Sequence, residues 1–545
     1  MQIRPIHFVH RGRTVEVSGV SPTLSVLEWL RAEGCTGTKE GCAEGDCGAC
    51  TVWVAELAPQ AAVAVEPQGA GGTTARAGAA IRTGPLLIRP VNACIRFLPT
   101  LDGKALLTVE DLAGRAGCLH PAQQAMVECH ASQCGFCTPG FVMSLAAVYE
   151  QHSAAGPNAA PPPSREALAD AVAGNLCRCT GYRPILDAGQ RMFTLGDATR
   201  QADTAHPGDA RVAAFDAEAV AATLRALPAV PPLHYSGPHA DGSGRTQAFV
   251  APRTARELAQ HKADNPQARL LAGSTDIGLW VNKQFRDLGT VLYLGDVAEL
   301  REIRPSDDGS LHIGAAVPLE DAYQALVRHH PGLRELWRRF AGPPVRHAVT
   351  LVGNLANGSP IGDSAPALMA LNAQLHLRWR DEQRVLPLDG FYTGYQRNQL
   401  REGEWVEAVS VPRLAEGWQL RVWKISKRHD CDISALCGAF ALNLTAAGQV
   451  NDVRLAFGGM AATVMRAGHT EAALRGQAWD KATLARAQAA LAQDFTPLSD
   501  LRASASYRLE AAAGLLERLW WQTHAGAPLD DSGTRVWSLT PEAQA

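Results

Sequence analysis

Gly41-Cys42-Ala43-Glu44-Gly45-Asp46-Cys47-Gly48-Ala49-Cys50 sets three thiols at Cys-x4-Cys-x2-Cys spacing, and Cys94 supplies a fourth. A loop of this kind wraps one diiron-disulfur cluster, with a distant cysteine closing the ligand set. The residues between the thiols matter as much. Gly41, Gly45 and Gly48 lack a Cβ, so the backbone is free to take left-handed angles and aim N–H groups at sulfur, which tunes a cluster's potential. A second set follows, with Cys134-x2-Cys137 in Gln133-Cys134-Gly135-Phe136-Cys137-Thr138-Pro139-Gly140 and Cys177-x-Cys179 in Gly174-Asn175-Leu176-Cys177-Arg178-Cys179-Thr180-Gly181-Tyr182-Arg183-Pro184. Two such turns facing each other present four sulfurs, and eight of the thirteen cysteines are then placed. The implied chemistry is one-electron transfer.

Zinc also accepts four cysteines. Its structural sites usually bring two short Cys-x2-Cys knuckles, however, which neither Cys-x4-Cys nor a lone Cys94 supplies, and Cys177-x-Cys179 is too tight for one. A disulfide framework is disfavoured because Met1-Gln2-Ile3-Arg4-Pro5 begins no apolar signal region, which points to a reducing, cytoplasmic setting. Cys35, Cys118, Cys129, Cys431 and Cys437 have no partners at ligand spacing and read as small buried hydrophobes. With 545 residues, 46% of them hydrophobic, the chain has material for three or four domains. No apolar run of 18 residues is present to span a membrane. A net charge of −3 and a pI near 6.6 give no basic field for nucleic acid. Internal repeats are absent.

Around the first cysteine loop the pattern is that of a small mixed sheet. Phe8-Val9, a turn at Arg11-Gly12, then Val15 and Val17 alternate as strands, and Thr51-Val52-Trp53-Val54 reads as the strand after the loop. Ser21-Pro22 is expected to open a helix carrying Leu24, Leu27 and Leu30 on one face. This is the outline of a β-grasp ferredoxin domain, and the Cys42 spacing is the plant-type one. An Ala/Gly-rich stretch over 58–80 reads as a flexible surface insertion, tolerated because loop-closure entropy grows only logarithmically. From Leu98 to about Leu195 the pattern turns helical, with segments opening at Pro121, Phe141 and Ser164 and a Pro-rich loop at Ala160-Pro161-Pro162-Pro163. Residues 196–237, with Pro207, Pro228, Pro231 and Pro232, read equally as a linker or as an ordered strap.

Leu270-Leu271-Ala272-Gly273-Ser274-Thr275-Asp276-Ile277-Gly278 is a buried strand running into a turn of small residues, after which Leu279-Trp280-Val281 starts a helix. Such a turn exposes successive N–H groups and hydroxyls that suit a pyrophosphate. Taken alone, an ordinary strand-to-helix turn is the preferred reading, since neither Gly-x-Gly-x-x-Gly nor a P-loop occurs. About 80 residues on, Thr350-Leu351-Val352-Gly353-Asn354-Leu355-Ala356-Asn357-Gly358-Ser359-Pro360-Ile361-Gly362-Asp363 forms a second segment of small and hydroxyl residues, preceded by Phe340-Ala341-Gly342.

The strings GCAEGDCGACTV, NAC, QCGFCTPG and GNLCRCTGYRP, over about residues 1–195, resemble the signatures of the molybdenum hydroxylase family, and the two small-residue segments resemble its flavin-binding domain. The resemblance implies a multidomain α+β chain. Its parts would be a β-grasp 2Fe-2S ferredoxin domain over 1–97 (58–80 inserted), a helical-bundle 2Fe-2S domain over 98–195, and a linker over 196–237. An α+β FAD-binding domain of the vanillyl-alcohol-oxidase-like kind would follow over 238–420, and an α+β cap over 421–545. It implies two 2Fe-2S clusters, on Cys42, Cys47, Cys50 and Cys94 and on Cys134, Cys137, Cys177 and Cys179. It also implies FAD, with Leu270, Leu271, Ala272, Gly273, Ser274, Thr275, Asp276 and Ile277 around its diphosphate. Thr350, Leu351, Val352, Gly353, Asn354, Ser359 and Asp363 would line the site and Phe340 would lie against the isoalloxazine, with Val406 and Lys424 as further contacts. The family commonly has two glycines before the asparagine where this chain has Val352-Gly353, which puts close backbone approach at Val352 in doubt.

Tyr395, and Arg428 and Asp430 in the loop Lys427-Arg428-His429-Asp430, resemble positions near a nicotinamide entrance. A solvated charge or half-buried aromatic is the competing reading for each. Hydride transfer between flavin and nicotinamide needs stacking and orientation more than a protein acid, so no catalytic residue is assigned. Beyond the flavin domain the chain leaves no room for a pterin-binding domain. The expectation is therefore a molybdopterin-binding large subunit as partner, in a heterotetramer of two small and two large subunits, which oxidises a purine while this chain reduces NAD+. Oxidation of an aldehyde or N-heterocycle by such a partner, or a stand-alone iron–sulfur flavoprotein reductase, remains open.

Overall fold

The computed structural model describes residues 3–58, 80–113, 118–155, 161–202, 215–228, 231–526, 528–530 and 532–534. Nearly all of the expected insertion at 58–80, together with Ala160 and residues 203–214, lies outside them. The chain divides into two units, one of Met1–Glu299, Pro318–Asp321 and Ala341–Thr350, the other of Leu300–Val317, Ala322–Phe340 and Leu351–Ala545.

In the first unit, strands β1 (Ile6–His10) and β2 (Arg13–Val17) form the hairpin read at Arg11-Gly12. Helix α1 (Val26–Ala32) follows. It opens at Ser25 rather than at Ser21-Pro22, because Ser25 and Glu28 close a capping box and Leu24 falls outside the helix. Strand β3 (Thr51–Leu57) leads from the cysteine loop to β4 (Ile81–Thr83), β5 (Leu86–Asn92) and β6 (Ala105–Leu107), giving the sheet order β2-β1-β6-β3-β5-β4. The expectation of helix from Leu98, and with it the boundary at 97, is corrected. Leu98–Leu101 is a single 3-10 turn, and β6 pairs parallel with β1 and antiparallel with β3.

Period-two alternation along β3 feeds two cores. Trp53 and Ala55 face a helical layer of α2 (Pro121–Glu128), α3 (Thr138–Ser153), α4 (Arg165–Ala171), α5 (Arg183–Ala202) and α6 (Ala217–Arg225). Val52 and Val54 face α1 and a second sheet. That sheet is built from β7 (Leu233–Pro238), β8 (Thr246–Ala251), β9 (Arg269–Leu271) and β10 (Val291–Tyr293), in the order β7-β8-β10-β9. Helices α7 (Ala255–Asp264) and α8 (Thr275–Asn282) accompany it. The linker reading of 196–237 is also corrected. Helix α5 runs on to Ala202, the helix α6 has Ala221 and Leu224 in the core beside Trp53, and β7 is already paired with β8, so the described part is an ordered strap.

The second unit holds a five-stranded sheet. Strands β11 (Ile303–Pro305) and β12 (Leu311–Gly314) lead to α9 (Leu319–His329) and α10 (Arg334–Arg339). The chain then places α11 (Pro343–Ala348) in the first unit before α12 (Leu351–Ala356) and α13 (Ser364–Ala370). Strands β13 (Gln374–Trp379), β14 (Glu382–Pro387), the small hairpin β15 (Tyr392–Gly394) and β16 (Arg397–Asn398), and β17 (Trp405–Val411) follow, with the order β11-β12-β17-β13-β14 in the main sheet. Residues 238–420, the expected FAD-binding domain, thus fall partly in the first unit and partly in the second.

The C-terminal region pairs β18 (Trp418–Ile425), β19 (Leu436–Leu444), β20 (Val450–Gly458) and β21 (Met465–Arg466) under α14 (Gly468–Leu474), α15 (Lys481–Asp494) and α16 (Ala505–Thr523). Its core centres on Phe440, Phe457, Leu516 and Leu519. Among the described residues no helix is long and apolar enough to cross a membrane.

Candidate functional site: two thiol clusters and a flavin cradle

All eight predicted ligand cysteines lie in the first unit, each set drawn together from segments far apart in sequence. In the first set the thiols lie close enough to act on one another, Cys42 on Cys47 and Cys94, and Cys50 on Cys94, so the four sulfurs form one group. The neighbouring Cys47 thiol holds Cys42 well below its ordinary range, and Cys42 in turn pushes Cys47 up. Backbone N–H groups of Glu44 and Cys47 both donate to Cys42 Sγ at 3.4 Å. In the second set Cys179 donates to Cys134 at 3.6 Å, Cys137 and Cys177 act on each other's thiol, and the Thr180 N–H reaches Cys177 Sγ at 3.5 Å. Thiol groups converging in fours, with main-chain donors aimed at sulfur, fit the thiolate ligation of a diiron cluster. No group of three or more His, Cys, Asp or Glu among the described residues is arranged around a single metal ion.

The two sets differ in shielding. Cys50 and Cys94 are buried, whereas Cys134 and Cys179 are exposed beside Phe136 and Tyr182, both of them exposed as well. The loops that carry the sets also touch. The Leu176 N–H, next to Cys177, donates to the Cys47 carbonyl at 3.0 Å. Asn175 Nδ2 donates to the Gly48 carbonyl at 3.0 Å, while its Oδ1 accepts from Ser144 at 2.6 Å. Gly48 sits at φ +68°, and a Cβ there would overlap the Gly174 carbonyl oxygen. The sequence reading treated the glycines as conformational aids to one loop, whereas Gly48 is also required for the approach of the other. Nothing in the sequence neighbours of Asn175 announces a bridging amide. Of the five cysteines outside the sets, Cys35, Cys431 and Cys437 are buried as expected, while Cys118 and Cys129 are half-buried.

In the same unit β9 delivers Leu270 and Leu271 to the turn Ala272-Gly273-Ser274, from which α8 springs at Thr275, four residues before the expected start at Leu279. Asp276 and Ile277 thus belong to its first turn. Ser274 takes left-handed angles, φ +64°, and caps α8 without a side-chain hydrogen bond; its buried Oγ has no partner. A Cβ on Gly273 would overlap the Ala348 carbonyl, so the turn lies directly on the segment leading to Thr350. Free N–H groups at a helix start, an orphaned hydroxyl and a bare glycine fit a diphosphate.

Thr350 ends the last segment of the first unit, and the remaining flavin candidates lie in the second unit. Leu351, Val352, Gly353 and Asn354 form α12. The Val352 side chain is buried. Asn354 Oδ1 is buried and has no hydrogen-bond partner. Ser359 accepts from the Ile361 N–H at 3.4 Å, and Val406 is buried on β17. Phe340 ends α10 with its ring 6.2 Å from that of Tyr323. Asp363 is fully engaged, one oxygen accepting from Lys424 Nζ at 2.7 Å and the other from Ser434 at 2.6 Å. Ser434 was missed by the sequence reading. So was Arg339, which donates to the Lys424 carbonyl (2.7 Å), Ser426 Oγ (3.1 Å) and the His429 carbonyl (3.2 Å) and thereby pins the loop that bears Arg428 and Asp430. Tyr395 is 62% exposed, and Arg428 and Asp430 are exposed too.

Four sequence families match the chain in order: a 2Fe-2S iron-sulfur cluster binding domain over 8–75, a [2Fe-2S] binding domain over 108–190, an FAD binding domain in molybdopterin dehydrogenase over 244–414, and a CO dehydrogenase flavoprotein C-terminal domain over 421–523. Among curated relatives, xanthine dehydrogenase of Emericella nidulans is 34% identical over 94% of this chain and 38% of its own length. Xanthine dehydrogenase/oxidase of Gallus gallus is 29% identical over 90% and 38%, and aldehyde oxidase 4 of Cavia porcellus 28% over 88% and 36%. The chain thus spans well under half the length of these relatives. Among solved structures, carbon monoxide dehydrogenase from Hydrogenophaga pseudoflava aligns with a TM-score of 0.47 at 28% identity, over 50% of this chain and 94% of that one. Quinoline 2-oxidoreductase from Pseudomonas putida 86 aligns with a TM-score of 0.46 at 25% identity, over 50% and 94%.

Proposed function

The chain belongs to the molybdenum hydroxylase family, whose iron–sulfur and flavin portion it carries, and from that premise we propose that it is the electron-transfer and NAD-reducing subunit of a xanthine dehydrogenase. The observation that carries this reading is the docking of one cysteine set on the other, through Leu176 N–H to the Cys47 carbonyl. Adjacent thiolate sets suit electrons passed in single steps. When bound, the clusters exchange one electron at a time, and FAD collects two and delivers hydride to NAD+.

Each group of residues then has a role. The second set, exposed at Cys134 and Cys179, would hold the cluster that accepts electrons from a molybdopterin-binding large subunit, which oxidises hypoxanthine and xanthine to urate. The first set, Cys42, Cys47, Cys50 and Cys94, with Cys50 and Cys94 buried, would hold the cluster that lies next in line toward the flavin. Ser274 and the first N–H groups of α8 hold the FAD diphosphate. Phe340, Asn354, Asp363, Val406 and Lys424 contact the flavin, the Asp363–Lys424 pair adding no net charge. Tyr395, Arg428 and Asp430 attend the nicotinamide. The partner complex is a heterotetramer of two small and two large subunits.

The test is purification of the native complex with metal, flavin and pterin analysis, followed by substrate-dependent NAD+ reduction. About four irons and one FAD per copy of this chain are expected, by the ligand count of two diiron clusters. A copurifying molybdopterin subunit and xanthine-dependent NADH formation complete the expectation. Turnover of aldehydes but not purines would move the assignment toward the relative named as an aldehyde oxidase. NAD+ reduction by this chain alone would make it a stand-alone reductase.

A further inference from the structure

Helix α8 has the flavin cradle at one end. Its other end reaches into the first cysteine loop. Asn282 Nδ2 donates to the Cys94 carbonyl at 2.7 Å and to the Ala43 carbonyl at 3.2 Å, and Lys283 Nζ donates to the Cys42 carbonyl at 2.6 Å. Between the two ends, Gly278 lies so close to the residue after Cys94 that an added Cβ would stand 2.6 Å from the Ile95 carbonyl oxygen. Eight residues of α-helix span about 12 Å. One short rigid rod therefore touches the segment after the fourth ligand at its middle and clamps the carbonyls of two ligand cysteines at its C-terminus.

These contacts have a chemical consequence. Cys42 opens the loop and Cys94 closes it from a distant strand end, and Asn282 ties the two parts together with the two protons of one amide. The Lys283 ammonium sits against the peptide of Cys42. Reducing a thiolate-ligated cluster adds negative charge, and a nearby cation or donor favours the reduced state, which raises the potential.

We propose that Asn282 and Lys283 are positioning residues for the first cluster: Asn282 fixes the Cys94 ligand against the Cys42 loop, and Lys283 raises the cluster's reduction potential at the far end of the helix that holds the flavin diphosphate. The inference rests on reading Cys42, Cys47, Cys50 and Cys94 as one diiron ligand set and Gly273–Thr275 as the diphosphate cradle. Neither residue belongs to a cysteine or glycine signature, so spacing alone gives them no role.

The experiment is a redox titration of the intact, cofactor-loaded protein monitored by electron paramagnetic resonance, comparing wild type with Lys283→Met, Lys283→Arg and Asn282→Leu. Lys283→Met should lower the midpoint potential of the first cluster, and Lys283→Arg should restore it. Asn282→Leu should change the first cluster's resonance positions and reduce its iron occupancy. The second cluster should be the same in all four proteins. First-cluster potential and spectrum identical to wild type in both Lys283→Met and Asn282→Leu would overturn the inference while leaving the cluster assignment intact. A wild-type protein without two diiron signals would overturn both. Lys283 is exposed, so its substitution leaves folding untouched and the potential stays measurable even if Asn282→Leu loads poorly.

Discussion

Gly273 carries a constraint that its neighbours in sequence do not reveal. The turn before α8 is pressed onto the Ala348 carbonyl, so even one carbon at this position must displace backbone. An aspartate adds a negative charge where the diphosphate is proposed to lie. Gly273→Asp should release FAD and keep both clusters, seen as loss of extractable flavin at unchanged iron content. If the chain acts as proposed, the same variant in its complex should lose NAD+ reduction yet still pass electrons from purine to an artificial acceptor that takes them from the molybdenum site or the clusters. NAD+ reduction persisting without bound flavin would show that the hydride step lies elsewhere.

Among the elements, α1 shows how a local signal can be read one turn early. Ser21-Pro22 has the composition of a helix start, but the Ser25 hydroxyl accepts from the Glu28 N–H and the Glu28 carboxylate accepts from the Ser25 N–H at 2.8 Å. Reciprocal satisfaction of two donors outweighs a proline in first position. Ser25→Ala should cost about 1 kcal/mol of stability, read as a lower midpoint in urea with unchanged slope. Helix α8 shows the opposite shift, starting at Thr275 rather than at Leu279, which is expected because the small residues Ser274 and Thr275 look like turn. The fold recruits them, since a left-handed Ser274 supported by β9 and Ala348 starts the helix early. Strand β6 escaped notice for a different reason. Three residues carry no period, and only pairing with β1 and β3 makes them a strand.

Across the first unit, a single core runs from the ferredoxin sheet into the sheet of β7–β10. Phe8, Val52, Val54 and Leu106 share it with Tyr235, Phe249, Leu271 and Tyr293. Buried ion pairs cross the same boundary, Lys104 meeting Asp296 at 2.8 Å while the Arg4–Asp102 pair lies near Arg253. Such a core should unfold as one. Phe249→Ala, in the second sheet, should cost about 3–5 kcal/mol. It should shift loss of the first cluster's visible circular dichroism to lower urea along with the unit's far-ultraviolet transition. A first cluster lost at the wild-type urea concentration would mean that the two sheets unfold separately.

Along the chain alone, the plainest signal is the spacing of the thiols. Thiol spacing and intervening glycines are local, and a Cys-x4-Cys-x2-Cys loop admits few other uses, so the cysteine sets, the hairpin of β1 and β2, the helices beginning near Pro121 and Ser164, and the strand after Cys50 were legible. The tertiary structure alone decided what those pieces face. That Leu176 reaches the Cys47 carbonyl, that Asn282 joins Cys94 to Ala43, that Arg339 pins the loop after Lys424, and that 196–237 holds a helix and a paired strand all depend on contacts between residues distant along the chain. Polar side chains such as Asn175, Asn282 and Ser434 have no periodicity or spacing to announce them. Their partners are backbone carbonyls and carboxylates brought near only when apolar faces pack, and that packing is a property of the whole unit.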